Sequence, residues 1–265
     1  MRKTKMKVLC VIALGCFLST SCSAKKVVLD NYYNNEVNSK TGKPSHYIWE
    51  DKTLGGFSEL GDLFKLKGST ISTLKEKPTK TNLKDAGIFI IVDPDTRLES
   101  AKPNFMDLEA AIAISEWVKK GGVLLLLTND AKNAELDSFN ILSSRFGITF
   151  NNVLLHPEIK AEKGMPRNYN SCASINLPNH PLFKGVAKIF LKEVSSISCT
   201  NPAKAVLEEN GQVLMAEAQY GKGYVLAVGD PWLYNEYIDH AHLTADFENL
   251  KAAHNLVDWL LTKKK

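Results

Sequence analysis

Four stretches of the chain are apolar without alternation: KVVLD (26–30), GIFIIVD (87–93), GVLLLLTND (122–130) and GYVLAVGD (223–230). A strand covered on both faces reads this way, whereas a strand with one wet face alternates apolar and polar positions. The four runs predict inner strands of a parallel sheet, and STISTL (69–74) predicts a weaker fifth strand. Between them, apolar positions recur at helical spacing. Phe57, Leu60 and Phe64 share one face of 54–67, which stops at Gly68. A helix over 105–120 follows Asn104, with Asp107 three residues later as a capping pair, and it ends in Lys119-Lys120-Gly121-Gly122. Positive charge and then glycine is the usual order at a helix C-terminus. Leu136, Phe139, Leu142 and Phe146 mark a helix over 133–146; Phe247, Leu250, Ala253, Val257 and Leu260 mark one over 245–262.

Strand–helix alternation of this kind predicts a three-layer α/β fold with a mostly parallel sheet. Residues 149–210 break the rhythm: they are rich in Asn, Pro and Ser and hold short β-like pieces. GQVLMAEAQYGKGYVLAVGD then reads as a hairpin turning at Tyr220-Gly221-Lys222-Gly223. The expected organisation is a single α/β domain over 27–263 with a small antiparallel β lobe (149–222) inside it.

The N-terminus stands apart. MRKTKMK is basic, VLCVIALGCFLS is apolar but short for a membrane span, and Ser21 precedes Cys22. This pattern predicts a signal peptide over 1–21, lipidation of Cys22 and a short linker over 22–26; ordinary cleavage after Ala24 is the alternative. The charge picture changes with it. The chain has 33 basic and 29 acidic residues, and loss of Arg2, Lys3, Lys5 and Lys7 leaves 29 against 29. A neutral mature chain lacks the basic face that nucleic acid requires, so no nucleic-acid partner is expected. With Cys10 and Cys16 removed and Cys22 lipidated, Cys172 and Cys199 remain. In an oxidising compartment they suggest a Cys172–Cys199 disulfide, with two free thiols as the alternative.

Candidate chemistry gathers where the strands end. The first ends in LDNYYNNE and the last in GDPWLYNE, so Asp30, Tyr32, Asn35 and Glu36 find counterparts in Asp230, Trp232, Asn235 and Glu236. IIVDPDT adds Asp93 and Asp95, LLTNDAKNAE adds Asn129 and Asp130, and HYIWED brings His46 and Trp49 to the same edge. The C-terminal ends of parallel strands emerge on one rim, where ligands of open α/β sheets bind. Aromatic faces beside carboxylates and amides suit sugar rings. Any one of these residues also reads as a turn former or helix cap. Asp230 and Glu36 are the candidate acid and base if the rim cleaves a glycosidic bond. DHAH (239–242) is a weak metal signal, and no metal site is expected. The chain has no Gly-rich phosphate loop, Walker pattern or Gly-x-Ser-x-Gly elbow, and no cofactor is expected.

VVLDNYYNNE, HYIWED…GGFSELG, IFIIVDPDT, WVKKGGVLLLLTNDAKNAE and VLAVGDPWLYNEY together resemble a domain of Bacteroidota glycan-degrading proteins, found attached to or beside unsaturated rhamnogalacturonyl hydrolases. The resemblance spans about 26–262 and implies a class I glutamine amidotransferase-like, flavodoxin-like fold. The helical-barrel catalytic domain of those hydrolases is absent from the sequence. The turns Thr128-Asn129-Asp130 and Asp93-Pro94-Asp95 stand where that fold usually places a nucleophilic cysteine. The expectation is therefore an exported, membrane-anchored carbohydrate-binding accessory protein of a pectin- or rhamnogalacturonan-degrading system, facing the periplasm, with the cell surface as the alternative. Its partners would be an oligosaccharide, the membrane through its lipid and a glycoside hydrolase. A glycoside hydrolase and a non-catalytic scaffold are the alternatives. An acidic sugar would need a cation on the rim, for which Arg97 and Arg167 are the candidates.

Overall fold

The computed structural model describes residues 24–38, 40–159, 163, 168–235 and 237–263. Cys22, Arg167 and Glu236 lie outside them. In chain order the strands are β1 (Lys26–Asp30), β2 (Thr70–Leu74), β3 (Ile88–Val92), β4 (Val123–Leu127), β5 (Ile148–Phe150), β6 (Ala173–Ser174), β7 (Ile189–Phe190), β8 (Ile197–Cys199), β9 (Lys204–Glu209), β10 (Gln212–Tyr220) and β11 (Gly223–Val228). The helices are α1 (Ser58–Leu66), α2 (Leu108–Lys119), α3 (Leu136–Ser143) and α4 (Asn249–Thr262). The main sheet runs β2-β1-β3-β4-β11-β10-β8-β5, with β9 also paired to β10.

Its first five strands are parallel, from Lys26↔Thr70 at one edge to Tyr224↔Val123 at the other. The order is that of a flavodoxin-like doubly wound sheet, which reverses direction between β1 and β3. The continuous apolar runs follow from this placement. Along β3 and β4, Ile88, Ile90, Leu125 and Leu127 face α1 and α4, while Phe89, Ile91, Leu124 and Leu126 face α2 and α3. Every side chain of the two central strands is buried, so neither face tolerates a polar residue.

The 149–222 segment extends this sheet instead of forming a body of its own. β10 folds back on β11 with Tyr220 opposite Gly223, and β9, β8 and β5 continue the antiparallel edge. β6 and β7 form a separate two-stranded antiparallel ribbon. The Asn104 capping pair is corrected: Asp107 itself caps α2, its side chain accepting from Ala110 N at 2.9 Å. α4 starts at Asn249, four residues later than its spacing suggests, because 245–248 are taken up by the approach to the helix.

The disulfide expectation is also corrected. Cys172 and Cys199 are free thiols. Cys172 packs with Phe190, Tyr237 and Phe247 in a satellite cluster, whereas Cys199 packs against the α2–α3 face of the sheet. Different layers of the molecule claim the two sulfurs, and the Cys172 thiol donates to His156 O at 3.3 Å. No helix of the described residues is long and apolar enough to cross a membrane.

Candidate functional site

A cleft of about 490 Å³ opens at the C-terminal ends of the parallel strands. Glu36 reaches it from the segment after β1, Asp93 and Glu99 from after β3, Asn129 and Asn133 from after β4. The loop that leads into α1 supplies His46, Tyr47 and Gly55; Glu193 and Trp232 close the remaining side. β1 and β3 are the pair at which the sheet changes direction, the position where open α/β sheets form a crevice.

The backbone around this cleft is held in unusual conformations. Six non-glycine residues have positive φ among the described residues, and four of them line the cleft: His46 (58°), Tyr47 (42°), Asp93 (44°) and Glu193 (54°). Such geometry costs about 1–3 kcal/mol per residue and concentrates at functional sites. Local bonds hold it. His46 N donates to Asp51 Oδ2 at 3.0 Å, Tyr47 N to Gly55 O, and Asp93 N to Leu127 O at 2.9 Å. Gly55 lies close beneath the His46 ring, and a Cβ there would stand 3.0 Å from it.

Two pairs of side chains define the polar chemistry. His46 Nδ1 lies 3.3 Å from Glu36, and that contact pushes the imidazole pKa up. Tyr47 and Asp93 lie in one another's field, and both groups are pushed well above their ordinary ranges, chiefly by burial. Asp93 Oδ1 is buried without a hydrogen-bond partner although its residue lines the cleft. The pKa of Glu99 is also raised, first by burial and then by Glu36 nearby, while Thr96 N and Oγ1 hold it in place. No group of three or more His, Cys, Asp or Glu side chains among the described residues could hold a metal ion.

Of the sequence-predicted site residues, Glu36, His46, Asp93, Asn129 and Trp232 meet at this cleft. The other described ones do not line it, and Glu236 lies outside the described residues. Trp49 is core: its ring covers Gly61 and its indole N–H donates to Ser72 O at 3.1 Å. Asp30 is fully buried and accepts from Tyr33 N at 2.9 Å. Asp95 accepts from Asn35 N at 3.0 Å, and Tyr32 O accepts from the Asn35 and Asn104 amides, so these residues stitch the post-β1 loop to the post-β3 loop. Asp130 accepts from Lys132 N and the Asn133 amide and shapes its own turn. Asn235 accepts from Tyr237 N at 2.9 Å.

Asp230 is the largest departure. It is fully buried, its two oxygens accept from Trp232 N at 2.7 Å and Lys192 N at 3.0 Å, and burial raises its pKa to about 8. It does not line the cleft, so it is not paired across it with Glu36 as acid and base. Tyr47, Glu99 and Glu193 were not singled out by sequence. Tyr47 sits inside the quoted HYIWED; Glu99 and Glu193 carry no local signal, since only tertiary folding brings their loops to the rim.

No protein-family model matches the chain, and no curated protein matches it in sequence. Solved structures do resemble it. The N-terminal domain of mmIFT52 is 16% identical with a TM-score of 0.63, the match covering 90% of this chain and 98% of that one. A cytoplasmic protein from Salmonella typhimurium LT2 is 14% identical with a TM-score of 0.56, covering 91% of this chain and 100% of its own. An exo-beta-1,4-mannosidase from Opitutaceae bacterium strain TAV5 is 13% identical with a TM-score of 0.52; the match covers 91% of this chain and 36% of the mannosidase. At these identities the likeness establishes a shared α/β fold.

Proposed function

We propose that this protein binds a carbohydrate fragment in the cleft at the β1–β3 switch point and serves as an accessory to an exported glycan-degrading system. The observation that carries this reading is the convergence, on one cleft, of four strained residues and the unpartnered Asp93 oxygen. Strained backbone and unpartnered buried polar atoms concentrate at ligand sites, and here they coincide. The cleft's volume is that of a small-ligand site. Its lining gives a sugar what it needs: carboxylate and amide acceptors for hydroxyls, and Trp232 and Leu54 for apolar ring faces. The resemblance of the strand-end motifs to an amidotransferase-like accessory domain supports the glycan setting, the signal-like N-terminus supports export, and Cys22 supports a lipid anchor.

The lining redirects the choice of sugar. Glu36, Asp93, Glu99 and Glu193 repel a uronate. Arg97 stacks on Phe105 at 5.2 Å and is not part of the lining, and Arg167 lies outside the described residues. In a pectin or rhamnogalacturonan fragment, the ring taken up would be one without a carboxylate. Hydrolysis is the weaker reading, because Asp230, its proposed acid or base, is held by two backbone amides beneath the surface. Isothermal titration with galactose- and rhamnose-containing pectic oligosaccharides tests binding, and product analysis of the same mixtures tests turnover. Heat of binding without products is expected. Silence across the panel, or products released at a rate abolished by Glu36→Gln, would overturn it.

A further inference from the structure

The carboxylates of the cleft outnumber the cations that answer them. Glu36, Asp93, Glu99 and Glu193 line it, with His46 as the basic side chain of the lining. His46 is committed to Glu36 at 3.3 Å. Lys192, just outside the lining, is committed to Glu158 at 3.0 Å and Glu193 at 3.5 Å and lies over the Trp232 ring at 4.2 Å. Among the described residues, no ion pair reaches Asp93 or Glu99. Burial pushes both upward; Glu99, Glu36 and Asp95 add repulsion on Asp93, and Glu36 adds repulsion on Glu99. One oxygen of this group, Asp93 Oδ1, is buried and has no hydrogen-bond donor.

We infer that the sugar taken by this cleft carries a protonated amine, directed at Asp93 and Glu99, and that the site selects amino sugars over neutral and acidic ones. The inference rests on the carbohydrate reading above and narrows it. A hydroxyl donates a single hydrogen bond and leaves the mutual repulsion of the carboxylates in place. An ammonium brings three donors and a full positive charge. In a partly buried site of lowered dielectric, the charge is the larger gain, because it offsets the burial and the mutual repulsion that together disfavour the charged forms of Asp93 and Glu99. A uronate on the same ring adds one more negative charge to the set. Trp232 and Leu54 are left to pack on the ring itself.

The test uses three molecules with one ring: galactosamine, galactose and galacturonate, titrated calorimetrically into the protein at pH 6 and low salt. Galactosamine is expected to bind about tenfold more tightly than galactose, and galacturonate not at all. The advantage should shrink as salt is added. Glu99→Gln should abolish the tenfold preference, lowering galactosamine affinity by more than galactose affinity, because the amide keeps an acceptor for Thr96 N but loses the negative charge. Asp93→Asn should do the same from the buried side; Glu99, which is half-buried, provides a variant whose folding does not depend on that position. Equal affinity for galactosamine and galactose, or an advantage that survives in Glu99→Gln, would overturn the amine preference and leave a sugar site standing. Absence of binding by all three would overturn the sugar site as well.

Discussion

The chain writes Asp-Pro twice after a buried parallel strand, at Asp93-Pro94 behind β3 and at Asp230-Pro231 behind β11, and the fold uses the two aspartates in opposite ways. Asp230 is a latch. Its oxygens take the amides of Trp232 and Lys192, and Gly229 before it lies so close to Ser195 that a Cβ would stand 1.9 Å from its carbonyl oxygen. The end of β11 is thereby fastened to 192–195, the approach to β8. Asp93 has positive φ, one oxygen without a partner and a place in the cleft wall. In this pair, the carboxylate whose two oxygens are taken by backbone amides is structural, and the one with an unpartnered oxygen in the cleft wall is open to a ligand. The two cases are identical in sequence and are separated only by what the neighbouring loops supply.

The largest effect that could break this comparison is on stability. Asp230→Ala strands two buried amides and should cost about 3 kcal/mol, read as a lower urea midpoint, while the folded fraction binds ligand as before. An unchanged midpoint would show that Asp230 is not a latch.

Next in size is the effect of pH. Asp30 and Asp95 are raised to about 7 and Asp230 to about 8, in each case first by burial. Between the ordinary carboxylate range and these values the native state holds more protons than the unfolded chain. Stability therefore falls as pH rises from about 4 to 8, by up to about 1.4 kcal/mol per pH unit for each of these groups, and melting temperatures should be higher at pH 5 than at pH 8. A melting temperature that rises over this interval would contradict the assignment of these groups as buried acids.

Asp93→Asn should behave unlike the β11 variant. Asn tolerates positive φ, so stability should stay within about 1 kcal/mol of the parent. Ligand affinity should fall instead. A destabilisation as large as that of Asp230→Ala would make Asp93 a second latch. The smallest effect belongs to Glu36→Gln. The Glu36–His46 pair is partly exposed, and its loss should cost less than about 1 kcal/mol. The His46 pKa should drop, because Glu36 is the main cause of its rise; an NMR titration of the imidazole that does not move would refute the pairing.

The sheet was legible because burial on both faces leaves an unmistakable run of Val, Leu and Ile, as in Ile88–Val92 and Val123–Leu127. Helix faces were legible for the same reason, but their ends were not. Asp107 caps α2 through its own side chain, and nothing in the Asn104–Asp107 spacing distinguishes the two residues as caps. The strand-end rule pointed to the rim on which the cleft opens, and Glu36, His46, Asp93 and Asn129 line that cleft. It also gathered Asp30, Asn35 and Asp95, whose hydrogen bonds tie one loop to another. Composition could not separate these roles, because Asp and Asn accept a backbone amide and a sugar hydroxyl with the same atoms. Trp49 was misplaced because an aromatic in a loop carries no mark of the helix that will cover it; Gly61 in α1 makes the hollow it fills. Glu99 and Glu193 became visible only when tertiary contacts brought two distant loops together.

The most direct test of the β1–β3 cleft as the binding site is an amide chemical-shift map recorded while galactosamine is titrated into isotopically labelled protein. Shifts should concentrate at His46, Tyr47, Gly55, Asp93 and Asn129 and leave Trp49 and Asn235 unmoved. Shifts centred on Asn235 and Asp239, with His46 and Asp93 silent, would contradict the account.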